Sequence, residues 1–301
     1  MAPSAGSPVR HAIVTVVFAI AAAVIGTAQQ PVFRSTIDVV RLDVSVMNGL
    51  APVTGLTRDQ FVVVDNGVPQ TIDSVLLENV PLSLTLLLDT SESMRGDRIN
   101  HLIEAARALI KALHPQDEAA LLTFSEPVKL AVPMTRNRNV MLDALGTLTP
   151  NGATSLNDAV FLGLQLRPES VGDATSVLLV FSDGHDTASW LRNGQLLEAT
   201  RRSSLLLHVI ELMPPNYAPN TTAQPSELLS ALAKAGGGRH WAAQKASDLN
   251  DFFGKALNEL RARYLLTYSP TGVSREGWHD VKVTLKNARG DVTSRPGYFA
   301  Q

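Results

Sequence analysis

From Pro81 onward, apolar residues come in short blocks separated by loops rich in Gly, Ser, Thr and Asp. Leu84 to Leu88, Val177 to Phe181 and Leu205 to Ile210 (broken only by His208) are such blocks. Blocks of this length, apolar nearly throughout rather than alternating, read as strands buried on both faces. The segments between them carry a helical period instead. In 97–113 the apolar positions include Leu102, Ala105, Ala106, Leu109, Ile110 and Leu113, which form one stripe of a helix packed on a core. Further helices are predicted near 137–146, 157–166, 192–202, 225–235 and 247–261, with strands at 83–89, 118–124, 127–132, 176–182, 204–211 and 238–242. Such strand–helix alternation predicts an α/β fold: a doubly wound, mostly parallel sheet with helices on both faces.

The two ends of the chain follow a different pattern. Val40, Leu42, Val44 and Val46 alternate with other residues, and Phe61 to Val64 runs into Asp65-Asn66-Gly67, a strong short-range hairpin signal. Past the last helix, 264–268, 280–285 and the tail 292–299 are β-like again. The economical arrangement is one small β module built from both ends, with the α/β region inserted between them. The expected organisation is a leader at 1–28, a β segment at 29–80, the α/β domain at 81–262 and a closing β segment at 263–301.

Candidate chemistry sits where the apolar blocks stop. The first block ends Asp89-Thr90-Ser91-Glu92-Ser93, the second loop reads Asn151-Gly152-Ala153-Thr154-Ser155, and the third block ends Ser182-Asp183-Gly184. In an open parallel sheet, all three fall at the carboxyl edge of the strands, where ligands bind. They offer oxygen and no nitrogen or sulfur, the donor set of a hard divalent cation. In this chain order, the three segments resemble the metal-ion-dependent adhesion site of von Willebrand factor type A domains. The resemblance assigns Asp89, Ser91 and Ser93 to the first loop, Thr154 to the second and Asp183 to the third. It implies that the Ser91, Ser93 and Thr154 hydroxyls contact the metal, while one or both Asp residues act through water. Residues 53–67 with Gln70, and the tail Arg295-Pro296-Gly297-Tyr298-Phe299, resemble a subfamily of exported von Willebrand A-related proteins abundant in acidobacteria.

Two carboxylates converging at one point raise each other's pKa unless a cation lies between them. Mg²⁺ suits this donor set best, with Mn²⁺ and Ca²⁺ compatible. The resemblance implies an open coordination position that accepts an acidic side chain from a protein partner. Glu92, where many relatives carry a small residue, either faces solvent or adds negative charge at the rim. Trp190 and Trp241 read as packing residues, with Trp190 also placed to face a partner from the loop after Asp183. His185 and Asp186 read as loop residues on the ligand face.

Composition narrows the function class. A net charge of −2, with no basic run longer than Arg201-Arg202, argues against nucleic acid as a partner. Arg10 and His11 precede an apolar run from Ala12 to Ile25, closed by Gly26-Thr27-Ala28. That is the form of a secretory signal peptide cleaved after Ala28. The alternative is an uncleaved anchor, but the run is short of the roughly 20 residues a bilayer requires. The expectation is therefore an exported protein, in the periplasm, at the cell surface or secreted, without a membrane span after cleavage. The chain has no Cys, which rules out a lipoprotein, disulfides and a thiol nucleophile.

The expected role is metal-dependent protein recognition or adhesion, not catalysis. One alternative is an envelope scaffold whose site is empty or only stabilising. The other is a phosphohydrolase using Asp89 as nucleophile, which lacks the second carboxylate two residues on, where Ser91 stands.

Overall fold

The computed structural model describes residues 39–49, 51–78, 81–166, 174–213 and 224–300, and these belong to a single compact unit. Residues 1–28, read above as a signal peptide, lie outside the described residues.

The chain opens with strands β1 (Val40–Asn48), β2 (Ala51–Pro52), β3 (Phe61–Asp65), β4 (Val68–Gln70) and β5 (Ile72–Glu78). The α/β region follows with β6 (Leu82–Asp89), α1 (Asp97–Ala112), β7 (Glu118–Phe124), β8 (Val128–Thr135), α2 (Arg138–Leu145) and α3 (Leu156–Gln165). It continues through β9 (Thr175–Ser182), α4 (Asn193–Arg202), β10 (Leu206–Leu212), α5 (Glu227–Ala235), β11 (Gly237–Ala243) and α6 (Leu249–Arg261). The last strands are β12 (Arg263–Tyr268), β13 (Gly277–Leu285), β14 (Asp291–Ser294) and β15 (Gly297–Ala300).

Six strands form the central sheet in the order β11-β10-β9-β6-β7-β8. All neighbours are parallel except β7 and β8. β6 and β7 are buried along their whole length, which explains their mostly apolar sequence. Alternate side chains serve opposite faces. On β6 and β9, Leu84, Leu86, Leu88, Leu179 and Phe181 pack with Leu102, Ala106 and Leu109 of α1 and Phe253 of α6. Leu87, Leu178 and Val180 point the other way, against Val160 of α3, Leu196 of α4 and Leu229 of α5. Truncating one such Leu to Ala costs about 2–5 kcal/mol, so the two cores fix the strand ends from which the site loops emerge.

The terminal strands build a second, smaller layer pair. One sheet has the order β14-β1-β12-β5, with β2 on β1, and the other runs β15-β13-β3-β4. Strands from both ends of the chain meet in each sheet: β1 pairs antiparallel with β12 and β14, and β13 pairs with β3. Leu42, Val44 and Val46, at alternate positions of β1, join Phe61, Val63, Tyr264, Leu266 and Val283 to fill the space between the sheets. The β3–β4 hairpin turns at Asn66 and Gly67 with φ of 45° and 83°. Positive φ at both central positions is the geometry that makes Asn-Gly the favoured pair there.

The tail differs from a single continuous β segment. It splits at Arg295-Pro296, so β14 joins β1 in one sheet and β15 joins β13 in the other. Pro296 has no N–H to extend a ladder, but its carbonyl accepts the N–H of Val281 at 2.8 Å. No helix among the described residues is long and apolar enough to cross a membrane.

Candidate metal centre

β6 ends in Asp89, whose side chain is wholly buried. Its Oδ1 accepts the backbone N–H of Ser91 at 2.9 Å, which folds the following residues into a tight turn. Its Oδ2 accepts the Ser182 hydroxyl from the end of β9, also at 2.9 Å. The Ser91 and Ser93 hydroxyl oxygens lie 2.9 Å apart, Ser91 buried and Ser93 exposed. Glu92, between them, faces solvent and pairs with Arg95 at 2.8 Å, so its charge is turned to the surface.

The second loop is tied to the first by its backbone. Asn151 N–H donates to the Thr90 carbonyl at 2.9 Å, and Glu92 N–H donates to the Gly152 carbonyl at 3.0 Å. The third loop is tied to the second in the same way. The Thr154 carbonyl accepts the N–H groups of Thr187 and Ala188 at 2.9 and 3.0 Å, while Thr154 N–H donates to the Thr187 hydroxyl at 3.0 Å. Asp89, Ser91, Ser93, Thr154 and Asp183 are thereby gathered at one edge of the sheet.

Asp183 opens the third loop and is followed by Gly184 at φ 87°. A Cβ on Gly184 would stand 2.6 Å from Oε1 of Glu211, so the position is closed to other residues by both conformation and space. Glu211 itself is buried at the end of β10, where it accepts the Ser226 N–H and pairs with His240 Nε2 at 2.7 Å.

The electrostatics are those of a site that wants a cation. Burial, together with the nearby charge of Asp183, pushes the Asp89 carboxyl up to about 6, against the hydrogen bonds from Ser91 and Ser182. Oδ1 of Asp183 is buried with no hydrogen-bond donor among the described residues. An unpaired carboxylate oxygen beside a second buried carboxylate and three hydroxyl-bearing residues fits a hard divalent ion, which relieves the repulsion and satisfies the oxygen at once. Such an ion would be held by Asp89, Ser91, Ser93, Thr154 and Asp183, and would supply an electrophilic point for an incoming anionic group.

Two contributors escape a reading of sequence alone. Ser182 looks like the last residue of an apolar strand, yet its hydroxyl fixes Asp89. Arg98, in the first turn of α1, places Nη2 3.7 Å from Oδ2 of Asp183. The rim also differs from expectation at Trp190, which is no packing residue but 94% exposed. Its loop is nonetheless fixed, because the Asp158 carboxylate accepts the N–H groups of Trp190 and Leu191 at 3.0 and 2.9 Å. Trp241 does pack, stacked on the His208 ring at 5.4 Å.

Comparison with known proteins places this geometry. Residues 84–185 match the model of the von Willebrand factor type A domain, a stretch that includes all five candidate residues. Among curated proteins, uncharacterized protein sll0103 of Synechocystis is 28% identical over 109 residues, covering 36% of this chain and 26% of that protein. Human inter-alpha-trypsin inhibitor heavy chain H4 is 22% identical over 238 residues, covering 73% of this chain and 25% of that protein. The chain spans about a quarter or less of the length of the curated relatives it matches. Among solved structures, a von Willebrand factor type A protein from Catenulispora acidiphila shares the fold at TM-score 0.51 and 11% identity, covering 85% of this chain and 75% of that one. Proximal thread matrix protein 1 from the mussel byssus does so at TM-score 0.52 and 10% identity, covering 65% and 50%. The match over residues 84–185, together with the shared fold, shows that this chain carries a von Willebrand factor type A domain.

Proposed function

We propose that this chain is an exported recognition protein that binds a protein partner through a divalent cation, most simply Mg²⁺, held by Asp89, Ser91, Ser93, Thr154 and Asp183. The observation that carries the proposal is the buried Asp89 carboxylate under the influence of Asp183, whose Oδ1 has no donor among the described residues. The partner offers an acidic side chain to the metal. Trp190, fully projecting from a loop bonded to Thr154, gives that partner an aromatic surface beside the charge. Glu92 is drawn off by Arg95 and leaves the approach of an anion open. Export rests on the N-terminal sequence pattern. Binding rather than turnover is favoured because Ser91 occupies the place where an aspartyl phosphohydrolase requires its acid.

One observation favours a second reading, a scaffold whose site takes no metal: Arg98 already brings a positive charge to Asp183. Calorimetric titration of metal-stripped protein with Mg²⁺ and Mn²⁺, beside Asp89→Ala, separates the two. The recognition reading expects saturable binding that the variant loses, and a folded wild type that binds neither ion supports the scaffold.

A further inference from the structure

Arg98 occupies a position that ordinary helix electrostatics disfavours. It is the second residue of α1, where the unpaired backbone N–H groups favour an acidic side chain and repel a cation. It is also largely withdrawn from solvent, with 17% of its side chain exposed. Neither Nε nor Nη2 makes a hydrogen bond among the described residues, although both atoms are buried. A guanidinium in that situation needs an anion, and the one it faces is Asp183 at 3.7 Å. A formed arginine–carboxylate fork has N–O separations of about 2.7–2.9 Å. The pair is therefore held about one ångström open, with Oδ1 of Asp183 unpartnered on the same carboxylate. Arg95, the nearest basic neighbour in sequence, is engaged elsewhere with Glu92.

We infer that Arg98 is an internal cation that shares Asp183 with the divalent metal and competes with it. The inference rests on the metal-site reading above. Without metal, the guanidinium, 3.7 Å away, balances one of the two buried carboxylates through its charge. With metal, Asp183 turns its charge to the ion and the arginine is left with the weaker share. Arg98 thus sets how tightly the site holds its cation: it lowers affinity below what Asp89 and Asp183 alone would give, and it keeps the metal-free domain folded. This is a specificity-determining role, because a site weakened in this way favours occupancy only where the ion is abundant or a partner carboxylate adds a ligand.

The test is Mg²⁺ titration of metal-stripped full-length wild type, Arg98→Gln and Arg98→Met, with thermal unfolding of each in the absence and presence of the ion. Removing a unit positive charge a few ångströms from the site should tighten Mg²⁺ binding about tenfold while lowering the metal-free unfolding temperature. Wild-type affinity, or weaker, in both folded variants overturns the inference and leaves the metal site standing. Absence of binding in the wild type overturns the metal-site reading together with it. Should neither variant fold, the wild type still decides: the Arg98 Nε–H resonance must shift as Mg²⁺ saturates, and an Nε–H indifferent to Mg²⁺ contradicts the shared-carboxylate arrangement.

Discussion

Tyr268, in one sheet of the terminal β module, donates its hydroxyl to Asp65 in the other sheet at 2.8 Å. Asp65 is fully buried and also accepts from the Tyr298 hydroxyl at 2.9 Å. Its other oxygen lies 2.8 Å from Nδ1 of the buried His279. Burial and the bond to Asp65 drive the Tyr268 phenol far above its ordinary range, which keeps it a donor. One carboxylate therefore fastens strands from both ends of the chain. Asp65→Ala removes the acceptor that Tyr268, Tyr298 and His279 share and is expected to cost about 3–5 kcal/mol in urea unfolding, while Asp65→Asn costs visibly less. A loss below about 1 kcal/mol in the Ala variant would contradict this role.

His208 supplies a pH dependence. It is wholly buried on β10, where burial first, and then Arg263 and Arg239, hold its pKa down at about 3. Its Nδ1 accepts the Arg239 N–H at 3.1 Å, which only the neutral ring can do. The unfolded chain protonates its histidine near about 6.5, so between that pH and the folded value the unfolded state binds the extra proton. The stability contribution is complete above about 6.5 and is lost as pH falls, with a slope approaching about 1.4 kcal/mol per pH unit. In urea melts between about pH 7 and pH 5, wild type should lose stability relative to His208→Gln with this slope, other titrating groups cancelling in the difference. Parallel profiles would refute it.

Asp117 ties the start of β6 to two helices. It accepts the N–H groups of Leu82 at 2.9 Å and His114 at 2.6 Å, and pairs with Arg261 of α6. Burial works against its charge, but these bonds prevail and its pKa is lowered. Its contribution is thus present above the ordinary carboxylate range and lost as pH falls through the lowered value. Asp117→Ala is expected to cost about 3 kcal/mol at neutral pH, and the difference from wild type should shrink in acid. A difference that stays constant into acid would argue against the ion pair as its source.

Gly184→Ala tests the geometry of the third site loop. The added methyl meets Oε1 of Glu211 at 2.6 Å and must also adopt φ 87°. Such strain costs about 1–3 kcal/mol, and because it falls next to Asp183 it should weaken Mg²⁺ binding at least several-fold. Unaltered affinity in a folded variant would show that the loop is less constrained than its contacts imply.

Trp190→Ala tests the opposite case. With 94% of the residue exposed, it should leave both the unfolding temperature and Mg²⁺ affinity unchanged. A measurable fall in either would mean that the ring serves the fold rather than a partner.

The central sheet was legible because helices cover both faces. Runs such as Leu86–Leu88 and Val177–Phe181 then have no polar side to disguise them. The five oxygen-bearing candidate residues stand out in the sequence because each lies at a strand end or in a loop whose residue types suit one kind of ion. Arg98 and Ser182 were not, since a single arginine in an amphipathic helix and a serine ending a strand are common, and only the fold brings them to Asp183 and Asp89. Likewise, nothing in the tail pattern tells that Pro296 hands the chain from one sheet to the other. The exposure of Trp190 depends on Asp158 holding its backbone from α3, a contact between residues 32 positions apart.

The most direct test of the metal centre is a crystal structure of the protein grown with Mn²⁺ and recorded at the manganese absorption edge. One strong anomalous peak is expected, bounded by the oxygens of Ser91, Ser93 and Thr154, with Asp89 and Asp183 reaching it directly or through water. Well-ordered loops at full Mn²⁺ concentration with no peak there, or with a peak at other residues, would contradict it.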